Sequence, residues 1–265
     1  MQGLIVNADD FGFSQQINQG VCEAHVNGIV TDASLLVRSP YASQAIEMAN
    51  QINLPVGLHI DFVTPYSASL RKELGPNGHL TQELFNREYK DQVTSLFSCE
   101  ELLQIQDEIK SQIEDFIALA GHSPSHLDYH FGLHFLPDVM FIYLSVANQY
   151  HLPVRWGVQY AGRNPVVLAP ARLCDKFRGV KNGSIQAFTD LLKEPWEGAM
   201  EVLCHPGYIT PNGFFDSYNQ EREYELEILT DPQLKADIEH MGIHLVNYNW
   251  LQEHGNSFLN NVHSL

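Results

Sequence analysis

Leu4-Ile5-Val6-Asn7-Ala8-Asp9-Asp10-Phe11-Gly12 begins as an apolar strand and runs straight into two adjacent carboxylates. Anions beside a buried strand are costly unless a cation meets them, so this junction is a place where charge is gathered. Three later stretches repeat the pattern. Val56-Gly57-Leu58-His59, His126-Leu127-Asp128-Tyr129-His130 and Val202-Leu203-Cys204-His205 each read as a strand ending in ionisable groups. Carboxylates and imidazoles collected at strand ends are the donors from which divalent-metal hydrolase sites are built.

Helical stretches separate these strands. Ser14 can cap a helix bearing Ile17, Val21 and Ala24, and residues 31–37 predict the second strand. A helix over 42–52 leads to a third strand over 55–60. Ser98 and Glu101 have the spacing of a capping box. Beyond them Leu102, Ile105, Ile109, Ile113, Phe116 and Ala120 share one helical face that stops at Gly121. Strands over 125–130, 154–157, 200–204 and 244–248, with helices over 137–150 and 221–240, continue the alternation. This order predicts a parallel sheet with crossover helices. Six or seven such units over 265 residues, with no linker or repeat, predict one domain over 1–265, a TIM-like (β/α) barrel. A doubly wound open sheet is the alternative. Residues 62–97 and 158–183 break the pattern and are rich in Gly, Pro, Asn and aromatics. Each follows a strand, where barrels build their active-site face, so both are candidate substrate walls.

With 44% hydrophobic residues the chain can bury a large core, while its net charge of −17 repels nucleic acid and anionic membranes. No leader-like n-region or 18-residue apolar run stands out. The four scattered cysteines form no framework, so reduced thiols and a cytoplasmic location are expected.

Strand parity sends His126, Asp128 and His130 to one face and Leu127 and Tyr129 to the other. Either a barrel mouth or a hydrogen-bonded polar network accounts for that face. Asp9 and Asp10 are adjacent, so they reach one site only if the backbone turns there. His205, before Pro206-Gly207, ends its strand sharply, while Cys204 should face away and pack. Arg155, at the end of the fifth strand, is placed to hold Asp9 or to stand at the surface beside Trp156. Tyr66, Tyr129, Trp156, Tyr160, Tyr208, Phe214 and Phe215 lie in or beside the candidate loops, as sugar platforms or as core.

The strings Asn7-Ala8-Asp9-Asp10-Phe11-Gly12, Gly57-Leu58-His59, His126-Leu127-Asp128-x-His130 and Cys204-His205-Pro206 resemble the YdjC-like carbohydrate deacetylases. The likeness continues through Arg222-x-x-Glu225-Leu226 to Asn247-Tyr248. The resemblance implies an irregular, seven-stranded (β/α) barrel that removes N-acetyl groups from N-acetylglucosamine-containing mono- or oligosaccharides. It further implies that Asp10, His59 and His130 hold one divalent metal, with Asp9 as general base and His205 as the opposing acid, held protonated by the local negative charge. Two imidazoles and a carboxylate suit zinc, whereas the resemblance points to magnesium. The chain departs from the family at Tyr129, Phe131 and Gly132, where Ser and His are common, so a reshaped pocket is expected; His134 is kept. The expected partner is a small N-acetylated saccharide, with a homodimer as the further candidate. The competing readings are a metal-dependent phosphoester or cyclic-amide hydrolase and a sugar-binding barrel without chemistry.

Overall fold

The computed structural model describes residues 2–62, 64, 66, 97–130, 137–155, 168–177, 184–210 and 218–254. Its elements in chain order are β1 (Gln2–Phe11), α1 (Gln15–Val26), β2 (Asp32–Leu35), α2 (Ala42–Ile52), β3 (Val56–Ile60), α3 (Cys99–Ala120), β4 (Leu127–Tyr129), α4 (Pro137–Gln149), β5 (Arg172–Cys174), α5 (Ile185–Leu191), β6 (Gly198–Cys204), α6 (Gln220–Leu229), α7 (Pro232–His240) and β7 (His244–Leu245). All pairings are parallel, in the order β4-β3-β2-β1-β6-β5, with β7 on the β2 side of β1 near its start. The long strand β1 is therefore the centre. Its residues from Gly3 to Phe11 are buried, as a parallel strand covered on both faces requires.

The seven strands form a curled half-barrel, not the closed barrel expected from the alternation. Among the described residues, β4 and β5 are not paired. Between them run only a Leu127–Val154 bridge and one hydrogen bond from the Val154 N–H to the Leu168 carbonyl, 2.8 Å. Of the strand expected over 154–157, Val154 makes that bridge, and residues 156 and 157 lie outside the described residues. A three-residue strand, β5, appears inside the stretch 158–183 read as loop. The helix expected over 221–240 is two helices. Asp231 caps the second through the Gln233 N–H, and Pro232 opens it, where proline loses no hydrogen bond. The Ser98–Glu101 capping box is formed in both directions at the start of α3, and Gly121 ends that helix with φ of 79°.

The two faces of the sheet differ in chemistry. Leu4, Val6 and Ala8 point outward into the main core beneath the helices, whereas Ile5 joins Ala199, Tyr248 and Leu251 in a small plug on the concave side. Above that plug the concave face is polar. Register puts Ile5 beside Glu201, Asn7 beside Asp32, Ser34 beside Gly57 and His59 beside Asp128, so these side chains share the face that carries Asn7 and Asp9. The main core stabilises the fold; the concave face concentrates its buried charge.

Candidate metal centre and active site

Asp9 continues the strand's alternation and points into the concave side. Asp10 would point away, but its φ of 64° and a register irregularity against β2 turn it back toward the same side. An aspartate held in the left-handed region costs free energy. Here the gain is a second carboxylate facing the same space.

Three donor atoms meet beside Asp10. Its Oδ1 lies 2.9 Å from His130 Nδ1 and 3.4 Å from His59 Nε2, and the two ring nitrogens are 3.3 Å apart. Asp10 Oδ1 is buried without a well-directed hydrogen bond. Its other oxygen, Oδ2, is taken by Arg222 Nη2 at 2.6 Å. Burial pushes the Asp10 carboxyl up, but His130 and Arg222 outweigh it and hold it well below the ordinary carboxylate range. Two imidazole nitrogens and one carboxylate oxygen, all within 4.8 Å of one another, suit a divalent ion in number and type. Asp9, His59 and Asp128 satisfy the same spacing, but there the cation already present is Arg155. The first triad fits a metal; the second is an ion-pair cluster.

Arg155 is buried and surrounded by carboxylates. Its Nη1 and Nη2 grip Asp9 Oδ2 and Oδ1 at 2.8 and 2.6 Å, Nε reaches Glu201 Oε1 at 2.8 Å, and Nη2 lies 2.9 Å from Asp128 Oδ2. The surface alternative for this arginine is therefore excluded. Asn7 adds donations from Nδ2 to Asp9 Oδ1 at 2.9 Å and to Asp128 Oδ2 at 3.2 Å. Burial raises the Asp9 carboxyl, yet Arg155 pulls it below its ordinary value and keeps it ionised. Glu201 goes the other way: burial outweighs Arg155 and pushes it up.

His59 is wedged between the two groups. Its Nδ1 faces Asp128 Oδ1 at 2.7 Å, which leaves Nε2 toward Asp10 and His130. Burial lowers this imidazole, but the charges of Asp128 and Asp9 and contact with Asp10 carry it up to about 10. Gly57, two residues earlier, has no room for a side chain, since a Cβ there would lie 2.3 Å from the His126 ring. His126 in turn stacks on Tyr248 at 3.8 Å between centroids.

His205 stands across the site, with Nε2 3.9 Å from Asp9 Oδ2. Its backbone N–H donates to Glu225 Oε2 at 2.5 Å, and Gly207 packs so closely on α1 that a Cβ on Gly20 would lie 2.5 Å from the Gly207 Cα. The turn after β6 is thereby fixed. The expectation of a protonated His205 is corrected: burial outweighs Glu225, Asp9 and Asp10 and lowers its pKa, favouring the neutral ring. Cys204 packs as expected, its thiol against the Asn7 carbonyl at 3.2 Å.

Two pocket expectations change. Tyr129 lies on the outer face, edge-on to Tyr143 of α4 at 5.5 Å, because it alternates with Asp128 and His130, so it does not shape the space near the Asp10, His59 and His130 donors. The Tyr208 hydroxyl donates to Glu23 and Tyr66 lies edge-on to Phe13. Phe131, Gly132, His134, Trp156, Tyr160, Phe214, Phe215 and most of 62–97 and 158–183 lie outside the described residues. Sequence reasoning gave no role to Glu201, Arg222, Glu225, Asn7 or Tyr248. The signal for Glu201 was a lone carboxylate inside the apolar run Met200-Glu201-Val202; for Arg222 and Glu225 it was their shared helical face.

Residues 3–240 match the model of the YdjC-like protein family. The chain is 34% identical to a carbohydrate deacetylase of Geobacillus stearothermophilus, covering 92% of this chain and 96% of that protein. It is 32% identical to a chitooligosaccharide deacetylase of Yersinia enterocolitica, covering 92% and 97%. A crystal structure from Enterococcus faecalis V583, described as a putative cellobiose-phosphate cleavage protein, superposes with a TM-score of 0.78. It is 29% identical and covers 94% of this chain and 98% of that one.

Proposed function

The chain belongs to the YdjC-like protein family, and from that membership we propose that it is a metal-dependent carbohydrate deacetylase. Its substrate is an N-acetylglucosamine-containing mono- or oligosaccharide, from which it releases acetate. The observation that carries this reading is the meeting of Asp10 Oδ1, His59 Nε2 and His130 Nδ1 beside a second carboxylate, Asp9, gripped through both oxygens by Arg155. Bound by that triad, a divalent ion would lower the pKa of water and polarise an amide carbonyl; zinc and magnesium are both candidates. Asp9, kept ionised, takes the proton from the attacking water. Arg155 fixes the direction in which that carboxylate points. His205 hands a proton to the departing amine, and because burial favours its neutral form it must first take one up, with Asp9 Oδ2 3.9 Å away. Proton-transfer roles of this kind contribute roughly 10²–10⁴-fold each.

A phosphorylated sugar is the second reading, prompted by the description of the Enterococcus structure. Against it, both arginines of the site, Arg155 and Arg222, already serve carboxylates. Acetate release from N-acetylglucosamine and its short oligomers, with and without chelator, is the test. Chelator-sensitive acetate release supports the deacetylase reading. Phosphoester or cyclic-amide cleavage with no acetate released overturns it.

A further inference from the structure

We propose that Asp128 is a positioning residue that ties the metal-ligand histidine to the general base, each of its oxygens serving one of the two. The proposal rests on the deacetylase reading for the roles of His59 and Asp9, but not for its geometry.

Asp128 is wholly buried on β4, in register with His59 on β3. Its Oδ1 accepts from His59 Nδ1 at 2.7 Å. A neutral imidazole whose one proton is on Nδ1 has its lone pair on Nε2, the nitrogen that faces Asp10 and His130. Oδ1 therefore sets both the tautomer and the tilt of the ring. The other oxygen, Oδ2, lies 2.9 Å from Arg155 Nη2 and accepts from Asn7 Nδ2 at 3.2 Å. The same two nitrogens also donate to Asp9 Oδ1, at 2.6 and 2.9 Å. Asp9 and Asp128 thus share two donors, so a change at Asp128 loosens the clamp on Asp9, whereas the bond from His59 to Asp128 Oδ1 uses neither of those donors.

An amide cannot reproduce this. Asparagine has one acceptor oxygen, so Asp128→Asn must turn its NH2 toward either His59 or the guanidinium. Loss of such an outer partner typically weakens metal affinity or activity by 10–100-fold. The experiment titrates Zn²⁺ into chelator-stripped protein against a chromophoric competitor, with steady-state deacetylation measured in parallel. Asp128→Asn is expected to bind Zn²⁺ about 10–100-fold more weakly than wild type, with kcat reduced and KM for the saccharide held. Asp9→Asn, the comparison, is expected to keep wild-type Zn²⁺ affinity. An Asp128→Asn protein with wild-type affinity and kcat overturns the proposal. Imidazole ¹⁵N spectra of Zn²⁺-loaded wild type need no variant to fold: His59 protonated on Nδ1 supports the proposal, and protonation on Nε2 overturns it. The titration uses no substrate, so a protein that binds Zn²⁺ as expected but releases no acetate would sink the deacetylase reading alone.

Discussion

Asp9 and Asp10 are chemically identical neighbours that a single backbone dihedral, φ of 64° at Asp10, sends to different partners. Asp9 meets Arg155; Asp10 shows one oxygen to Arg222 and one to two imidazoles. Asp9→Asn should therefore keep the metal and lose roughly 10²–10⁴ in kcat. Loss of the ion with near-normal turnover would reverse the roles. That two carboxylates and three histidines belong to one site was legible because each stood at the end of an apolar run. Their partners were not, since a dihedral at one residue and the reach of Arg155 from beyond the Val154 bridge leave no periodic trace. Asp32 makes a separate prediction. Burial lifts its carboxyl from 3.8 to about 7, with His126 opposing. An acid with a raised folded-state pKa costs nothing below about pH 4, costs progressively more up to about 7, and is level above that. The stability of Asp32→Asn relative to wild type should accordingly rise from pH 4 to 7 and then flatten, as followed by thermal melts of metal-stripped protein. A difference constant across that range would contradict the raised value.

At the scale of elements, β3 and β4 are packed through a missing side chain. The His126 ring fills the space where a Gly57 Cβ would stand, and it lies between that glycine and Tyr248. Gly57→Ala must push the ring or the strand, and overpacking of this kind costs about 1–3 kcal/mol. Denaturant unfolding should register that loss, together with weaker metal binding because His59 is two residues away. Unchanged unfolding would show that the strands yield freely. The long elements β1, α1, α2 and α3 were legible from apolar runs, caps and helical spacing. β5 was not: three residues carry no pattern, and their neighbours 175–183 look like loop. The break between α6 and α7 has a local signal in Asp231-Pro232, a cap followed by a first-turn proline, but the apolar spacing runs across it.

For the molecule as a whole, the curled sheet separates two tasks. Its outer face, under the helices, holds the main hydrophobic core; its concave face rises from the Ile5–Tyr248 plug through Glu201, Arg155 and Asp128 to the donors of Asp10, His59 and His130. Alternation implied closure because each βαβ unit looks alike in sequence. Whether the edge strands β4 and β5 meet depends on the stretch between them, where the pairing among the described residues is one bridge. No helix among the described residues is long and apolar enough to cross a membrane. The net charge of −17 suits a neutral saccharide whose product is an amine. Anomalous diffraction from crystals soaked in Zn²⁺ tests the metal triad most directly. A single peak about 2.0–2.2 Å from Asp10 Oδ1, His59 Nε2 and His130 Nδ1 is the predicted result. A peak between Asp9 and Asp128, or none within bonding distance of the triad, would contradict it.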